Sequence, residues 1–345
     1  MHTINYKYLL LFFASIFLSC QQEIESPEID NNISESNNEI LTSPKVDTPV
    51  FKEDSAYNFI TKQVAFGPRV PNSIAHNNCG EWLEKLLTNF NFQVITQKGK
   101  VTAFNGAKLN INNIIARHNP DLKERVMLCA HWDTRPFADR DSVKLNLPID
   151  GANDGASGVG VLLEIARNIS LLDPEIGVDI ILFDAEDYGA PSMSGQFFDL
   201  NSMNDTWCLG SQYFCKNIVI ENYQPRYGIL LDMVGGENAK FPKEGISRQF
   251  AAQKLNVIWK RAQQLGYGDF FVNKLAPPIT DDHTYINQLY RIPTIDIIHY
   301  TPRTTNGRFD FGKFHHTHND NMENIHKPTL KAVGQTVLHV IYEQL

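Results

Sequence analysis

Five short stretches of this sequence carry residues able to do chemistry. AHWDTR places His131 and Asp133 directly after an apolar run, and FDAED places Asp184, Glu186 and Asp187 after another. LLDMVGG places Asp232 after a third, and GANDGASG sets Asp154 among glycines just before a helical pattern. FHHTHNDNMEN gathers His315, His316 and His318 near the chain end. Aspartate, a second carboxylate and histidine with a position left open are the ligands of a catalytic rather than a structural zinc. Adjacent residues at a strand end point in different directions. One of Glu186 and Asp187 can therefore bind a metal while the other faces a substrate as general acid and base. Taken singly, each residue has a plainer reading. Asp154 would cap the helix that follows it, His131 would be a packed core histidine, Asp133 and Asp184 would be buried acceptors, and the histidine cluster would be a solvated loop. Their joint occurrence, each after a strand or in a Gly-rich turn, favours a shared site.

Strands must carry these side chains to one place. Residues 126–130, 178–183, 227–231 and 294–298 are short apolar runs of the kind that form buried strands. Trp82, Leu83, Leu86, Leu87 and Phe90 recur at helical spacing, and residues 92–96 alternate as a strand. Residues 158–169 read as a helix with its apolar face inward, and residues 328–345 as a closing helix with Pro328 in its first turn. This alternation predicts an α/β three-layer sandwich, with a mixed, mostly parallel central sheet flanked by helices. In such sheets a crevice forms at the carboxyl ends of the strands.

The 345 residues carry a net charge of -8 with no basic stripe, which argues against a nucleic-acid partner. Lys7 precedes an apolar run from Leu9 to Leu18, followed by Ser19 and Cys20. The run is too short to span a bilayer and fits a signal-peptide core. The small residue before a cysteine resembles a bacterial lipoprotein cleavage site. The expected organisation is a signal peptide over 1–19, a lipidated Cys20 with a disordered tether over 20–50, and one catalytic domain over 51–345. An exported, membrane-anchored, periplasm-facing monomer is expected. Beyond Cys20 the cysteines are Cys79, Cys129, Cys208 and Cys215, with no CxxC pair to suggest a thiolate zinc site. Cys129 lies in an apolar strand as a buried thiol; the spacing of Cys208 and Cys215 leaves a local disulfide open.

In order, HWD, GANDGASG, FDAED, LLDMVGG, TDDH and HHTHND resemble the co-catalytic zinc aminopeptidase superfamily over roughly residues 55–345, starting from FGPRVPNS at 66–73. Within it the chain is most similar to the bacterial zinc-dependent glutaminyl-peptide cyclotransferases. A long segment separates Glu186–Asp187 from Leu209-Gly210-Ser211, DDH at 281–283 carries the extra Asp281, and PKEGIS at 242–247 is shared. The resemblance implies one zinc on Asp154, Asp187 and His316, Glu186 as proton shuttle, and Asp232 and Asp281 in a hydrogen-bond network beside it. It implies Trp207 in the substrate pocket and His131 either behind the ligands or on a second metal. The substrates implied are peptides or exported proteins with N-terminal glutamine, converted to pyroglutamate with loss of ammonia. The competing reading is a two-metal aminopeptidase, since His131, Asp154, Asp187, Asp232 and His316 are all competent ligands. The chain departs from the animal cyclotransferases at Asp187 (a Glu there), His315 (a pocket Trp) and Asp296 (a His).

Overall fold

The structure is a computed structural model and describes residues 47–191, 206–302 and 306–345. The expected signal peptide, Cys20 and most of the tether lie outside the described residues. In chain order the main elements are α1 (Glu53–Val64), α2 (Ile74–Asn89), β1 (Gln93–Thr102), β2 (Lys108–His118), β3 (Arg125–His131), α3 (Ala156–Leu171), β4 (Gly177–Phe183), α4 (Leu209–Lys216), β5 (Gly228–Asp232), β6 (Phe241–Lys243), α5 (Gly245–Gln264), β7 (Phe271–Leu275), β8 (Thr294–Ile298) and α6 (Lys327–Tyr342). Six strands make one sheet in the order β1-β2-β4-β3-β5-β8. The β4-β3-β5-β8 pairs are parallel, whereas β1-β2 and β2-β4 are antiparallel. The sheet is therefore mixed and mostly parallel, as the alternation of elements predicts.

Both faces of the sheet are covered, which is why its central strands read as unbroken apolar runs. Every residue of β3, β4, β5 and β8 is buried. Successive side chains alternate between two cores. Leu128, Ala130, Ile180, Leu182, Ile229, Leu231, Ile295 and Ile297 join α1, α2, α3, α5 and α6 on one face. Met127, Cys129, Ile181, Phe183 and Leu230 join Phe214 of α4 and Ile286 and Ile292 on the other. Ser73 caps α2 by accepting from the His76 N–H, and Pro328 sits in the first turn of α6.

The strand expected over 92–96 extends to Thr102 because it pairs along its length with β2. The sequence reading did not identify β2, where Asn110, Asn112 and Asn113 interrupt the apolar pattern. Asn113 is nevertheless fully buried, donating to Gln97 Oε1 and to the Gly210 carbonyl and accepting from the Asp184 N–H. The four described cysteines are free thiols. Cys208 and Cys215 do not pair: Cys208 Sγ turns to Glu186 and Cys215 Sγ to the Tyr285 carbonyl. Among the described residues no helix is long and apolar enough to cross a membrane.

Candidate active site

Because β3, β4, β5 and β8 run parallel, their carboxyl ends share one edge. His131 ends β3, Asp184 follows β4, and Asp232 ends β5. Asp154 reaches the same edge from the turn before α3. That turn needs glycine at 155: φ is +94°, and a Cβ there would stand 2.7 Å from the Asp133 carbonyl oxygen and 3.1 Å from His131 Cε1. Asp154 is not a helix cap, since Gly155 occupies that position without a side-chain bond. Instead the Asp320 carboxylate accepts from the backbone N–H groups of Asn153 (2.7 Å) and Asp154 (3.0 Å), fixing the turn. The Asp154 carboxylate is thereby aimed at three histidines, 3.1 Å from His131 Nε2 and 3.8 Å from the Nε2 of both His315 and His316.

Asp133 and Asp184 are buried acceptors that shape the FDAED turn. Asp133 accepts from the N–H groups of Glu186 (3.0 Å) and Asp187 (3.2 Å). Asp184 accepts from the N–H groups of Asn112 and Ala185 and lies 2.8 Å from His76 Nε2. Ala185 takes a left-handed conformation (φ 51°), as does His316 (φ 57°). Such conformations cost energy in non-glycine residues and persist where surroundings impose them, often at functional sites. The outcome separates the acidic pair. Asp187 meets His316, with Oδ1 at 3.2 Å from Nε2. Glu186 meets the Cys208 thiol, with Oε1 at 3.2 Å from Sγ. Desolvation pushes the Glu186 carboxyl well above the usual carboxylate range; His131 opposes this and Asp281 reinforces it.

A cavity of about 720 Å³ opens over this edge, and Asp154, Glu186, Asp187, Asp232, Asp281 and His316 all line it. Trp207 forms one wall. Its ring lies parallel to that of His316 (5.8 Å, 7°), with the Arg135 guanidinium 4.6 Å over it. Trp207 leans so closely on Gly189 that a Cβ there would fall 2.0 Å from its Cδ2. His131 lies beneath the others, with Nε2 at 3.1 Å from Asp154 and 3.2 Å from Asp232. His318 is not brought in; it pairs with Asp141 at 2.9 Å. His315 is brought in: its ring centroid lies 3.6 Å from that of His316, and its Nε2 lies 3.8 Å from Asp154 Oδ2.

The donor set fits a zinc ion. His316 Nδ1 faces Asp139 Oδ1 at 3.2 Å, which leaves Nε2 directed at Asp154 and Asp187. A carboxylate behind the imidazole is the usual support of a metal-binding histidine. Asp187 Oδ2 is buried without a hydrogen-bond partner, an orphan that a cation would satisfy. His131 Nε2 faces two carboxylates although one N–H serves one acceptor well, so His131, Asp154 and Asp232 form a second competent donor group. The sequence reading missed Asp139, Arg135, Asp320 and the approach of Cys208 to Glu186. Asp320 had a signal, lying inside the histidine-rich segment; Asp139 had none beyond its closeness to AHWDTR.

Residues 113–341 match the family model described as "Peptidase family M28". The structure resembles that of a Zn-dependent exopeptidase from Parabacteroides distasonis (TM-score 0.81, 50% identity, covering 86% of this chain and 99% of that one). It equally resembles a glutaminyl cyclase from Bacteroides thetaiotaomicron bound to N-acetylhistamine (TM-score 0.80, 50% identity, covering 86% and 99%). A glutaminyl-peptide cyclotransferase of Boiga irregularis is 25% identical over 268 residues, which span 68% of this chain and 66% of that protein. With carboxylates and histidines gathered at one edge of the sheet and the family model spanning most of the chain, the protein belongs to peptidase family M28.

Proposed function

We propose that the chain is a glutaminyl-peptide cyclotransferase, closing N-terminal glutamine of peptides and proteins to pyroglutamate with release of ammonia. The observation that carries this reading is the separation of duties at the FDAED turn. Asp187 faces His316, whose Nε2 also faces Asp154, whereas Glu186 lines the Trp207-walled cavity beside Asp281. The likeness to a bacterial glutaminyl cyclase over nearly its full length supports the same reading.

Asp154, Asp187 and His316 would hold a single zinc. Zinc bound there would supply Lewis-acid polarisation of the substrate γ-amide carbonyl. Trp207 packs on the glutaminyl side chain and holds it folded, so that the α-amine lies against its own γ-carbonyl. Glu186 takes a proton from the α-amine as the new C–N bond forms. It returns that proton to the amide nitrogen, which leaves as ammonia when the old C–N bond breaks. Asp281 and Asp232 fix the geometry beside Glu186.

The second reading is a two-metal aminopeptidase, favoured by one observation: the His131, Asp154 and Asp232 group is complete. Purified protein incubated with Gln-initiated and Leu-initiated peptides separates the two. Pyroglutamyl peptide and ammonia from the first, and nothing from the second, are expected. Free leucine without pyroglutamate would reject the cyclotransferase. Metal analysis is expected to give one zinc per chain.

The cellular placement is part of the proposal. Lys7, the short apolar run and Cys20 support an exported lipoprotein held at a membrane and facing the periplasm. A Cys20→Ala variant should lose incorporated lipid and move to the soluble fraction; an unchanged membrane fraction rejects the anchor.

A further inference from the structure

Behind the cavity lies a buried cluster in which Asp281 meets two residues, His283 and Asp296, that the mechanism above does not use. Asp281, His283 and Asp296 converge within 4.8 Å of one another and are 4%, 0% and 0% exposed. Asp281 Oδ2, His283 Nδ1 and both carboxylate oxygens of Asp296 have no hydrogen-bond partner there. Buried polar atoms are nearly always satisfied, so something further belongs in this cluster. The choice is between a cation and a proton.

The surrounding donors decide it. Glu244 accepts from the N–H groups of Ile246 and Ser247, and its Oε1 lies 3.1 Å from His283 Nε2. Although burial opposes it, the bonds from His283 and Ser247 hold the Glu244 carboxyl below its ordinary range. Glu244 is therefore the acceptor, and His283 commits its Nε2–H to it. His283 Nδ1 stands 3.7 Å from Asp296 Oδ2, beyond hydrogen-bond reach, so it gives Asp296 no proton. Asp296 lies in β8 between Ile295 and Ile297; its backbone N–H donates to Ser247 Oγ, whereas neither oxygen of its carboxyl has a donor. Asp281 has a backbone donor, the Asp282 N–H, and opens onto the cavity. Two adjacent carboxylates without a donor between them cannot both stay ionised in a buried site. The proton belongs on the one with less support.

We propose that Asp296 is held as a neutral carboxylic acid whose O–H donates to Asp281, making Asp296 a positioning residue for the proton shuttle. Burial first, and then the Asp281 charge, drive Asp296 well above the usual carboxylate range. Asp281 in turn stands within 4.8 Å of Glu186 and Cys208. The pair thus fixes the side of Asp281 that faces Glu186. This rests on Glu186 being the shuttle, but the protonation of Asp296 can be read independently of turnover.

The test compares two replacements in the zinc-loaded enzyme. Asp296→Asn keeps a neutral side chain with an N–H to offer Asp281; Asp296→Ala removes the donor. Asp296→Asn should keep most of kcat. Asp296→Ala should lose about tenfold or more in kcat, the effect of leaving a buried acceptor unpaired, with KM and zinc content little changed. Equal losses in both would overturn the proposal. Difference infrared spectroscopy at neutral pH should show a protonated carboxyl band in wild type that Asp296→Asn lacks; the same band in both would also overturn it. A second tightly bound ion that disappears in Asp296→Asn would assign the cluster to a cation instead. If the protein proves to be an aminopeptidase, the infrared result still decides whether Asp296 holds the proton.

Discussion

His316 Nδ1 lies 3.2 Å from Asp139 Oδ1, and Asp139 is itself gripped by Arg135 Nε at 2.6 Å. The Arg135 guanidinium reaches on to the Asp187 carbonyl and stacks over Trp207. One arginine therefore ties together His316 and Asp187, two of the residues proposed to hold zinc, and the cavity wall. Asp139→Ala is expected to lower zinc affinity about 10–100-fold, the usual cost of losing a carboxylate behind a metal-binding histidine. Zinc retention against a graded chelator measures it. Unchanged retention would mean that the Asp139 contact does not orient His316.

Much of this arrangement was legible in the sequence because it follows from strands. A buried parallel strand announces itself as an apolar run, and the polar residue at its end is then placed by topology. That rule locates His131, Asp184, Asp187 and Asp232. Asp139 and Arg135 lie in the loop after β3, where no period marks a direction. The spacing of Cys208 suggests no more than a local disulfide, because its approach to Glu186 depends on where α4 begins, and that is set by tertiary packing. β2 escaped for a related reason: its asparagines are satisfied by partners distant in sequence, such as Gln97 and Gly210.

Glu186→Gln is isosteric and leaves Asp133 able to hold the backbone of the acidic pair. It should bind zinc normally yet lose about 10²–10⁴-fold in turnover, the range for removing a general acid–base. Zinc content and kcat measured on the same preparation decide this. Substantial retained activity would remove Glu186 from proton transfer.

Trp207 packs by its face, with His316 stacked parallel and Gly189 directly beside it. Trp207→Ala removes that wall while leaving in place every residue proposed to hold zinc. A rise in KM of about tenfold for Gln-initiated peptides is expected, from the packing an aromatic wall contributes. Trp207→Phe should recover part of it. Steady-state kinetics with intact zinc content measure both, and an unaltered KM in Trp207→Ala would place the glutaminyl side chain elsewhere.

His299 gives a pH dependence that is separate from the metal site. It follows β8, is 9% exposed, and its Nδ1 accepts from the Lys240 N–H at 3.0 Å. Burial lowers its pKa to about 4; the Lys240 charge adds to this and Asp310 opposes it. In the unfolded chain the same group titrates near about 6.5. The folded value is the lower one, so the unfolded state binds the extra proton first. The stability this group contributes is present above about 6.5 and is lost as pH falls toward about 4, amounting to about 3 kcal/mol over that window. His299→Asn keeps an acceptor for the Lys240 N–H but cannot titrate. Urea unfolding across this range should show wild type losing stability relative to the variant as pH falls. Parallel curves for the two proteins would mean that folding leaves the His299 pKa unshifted.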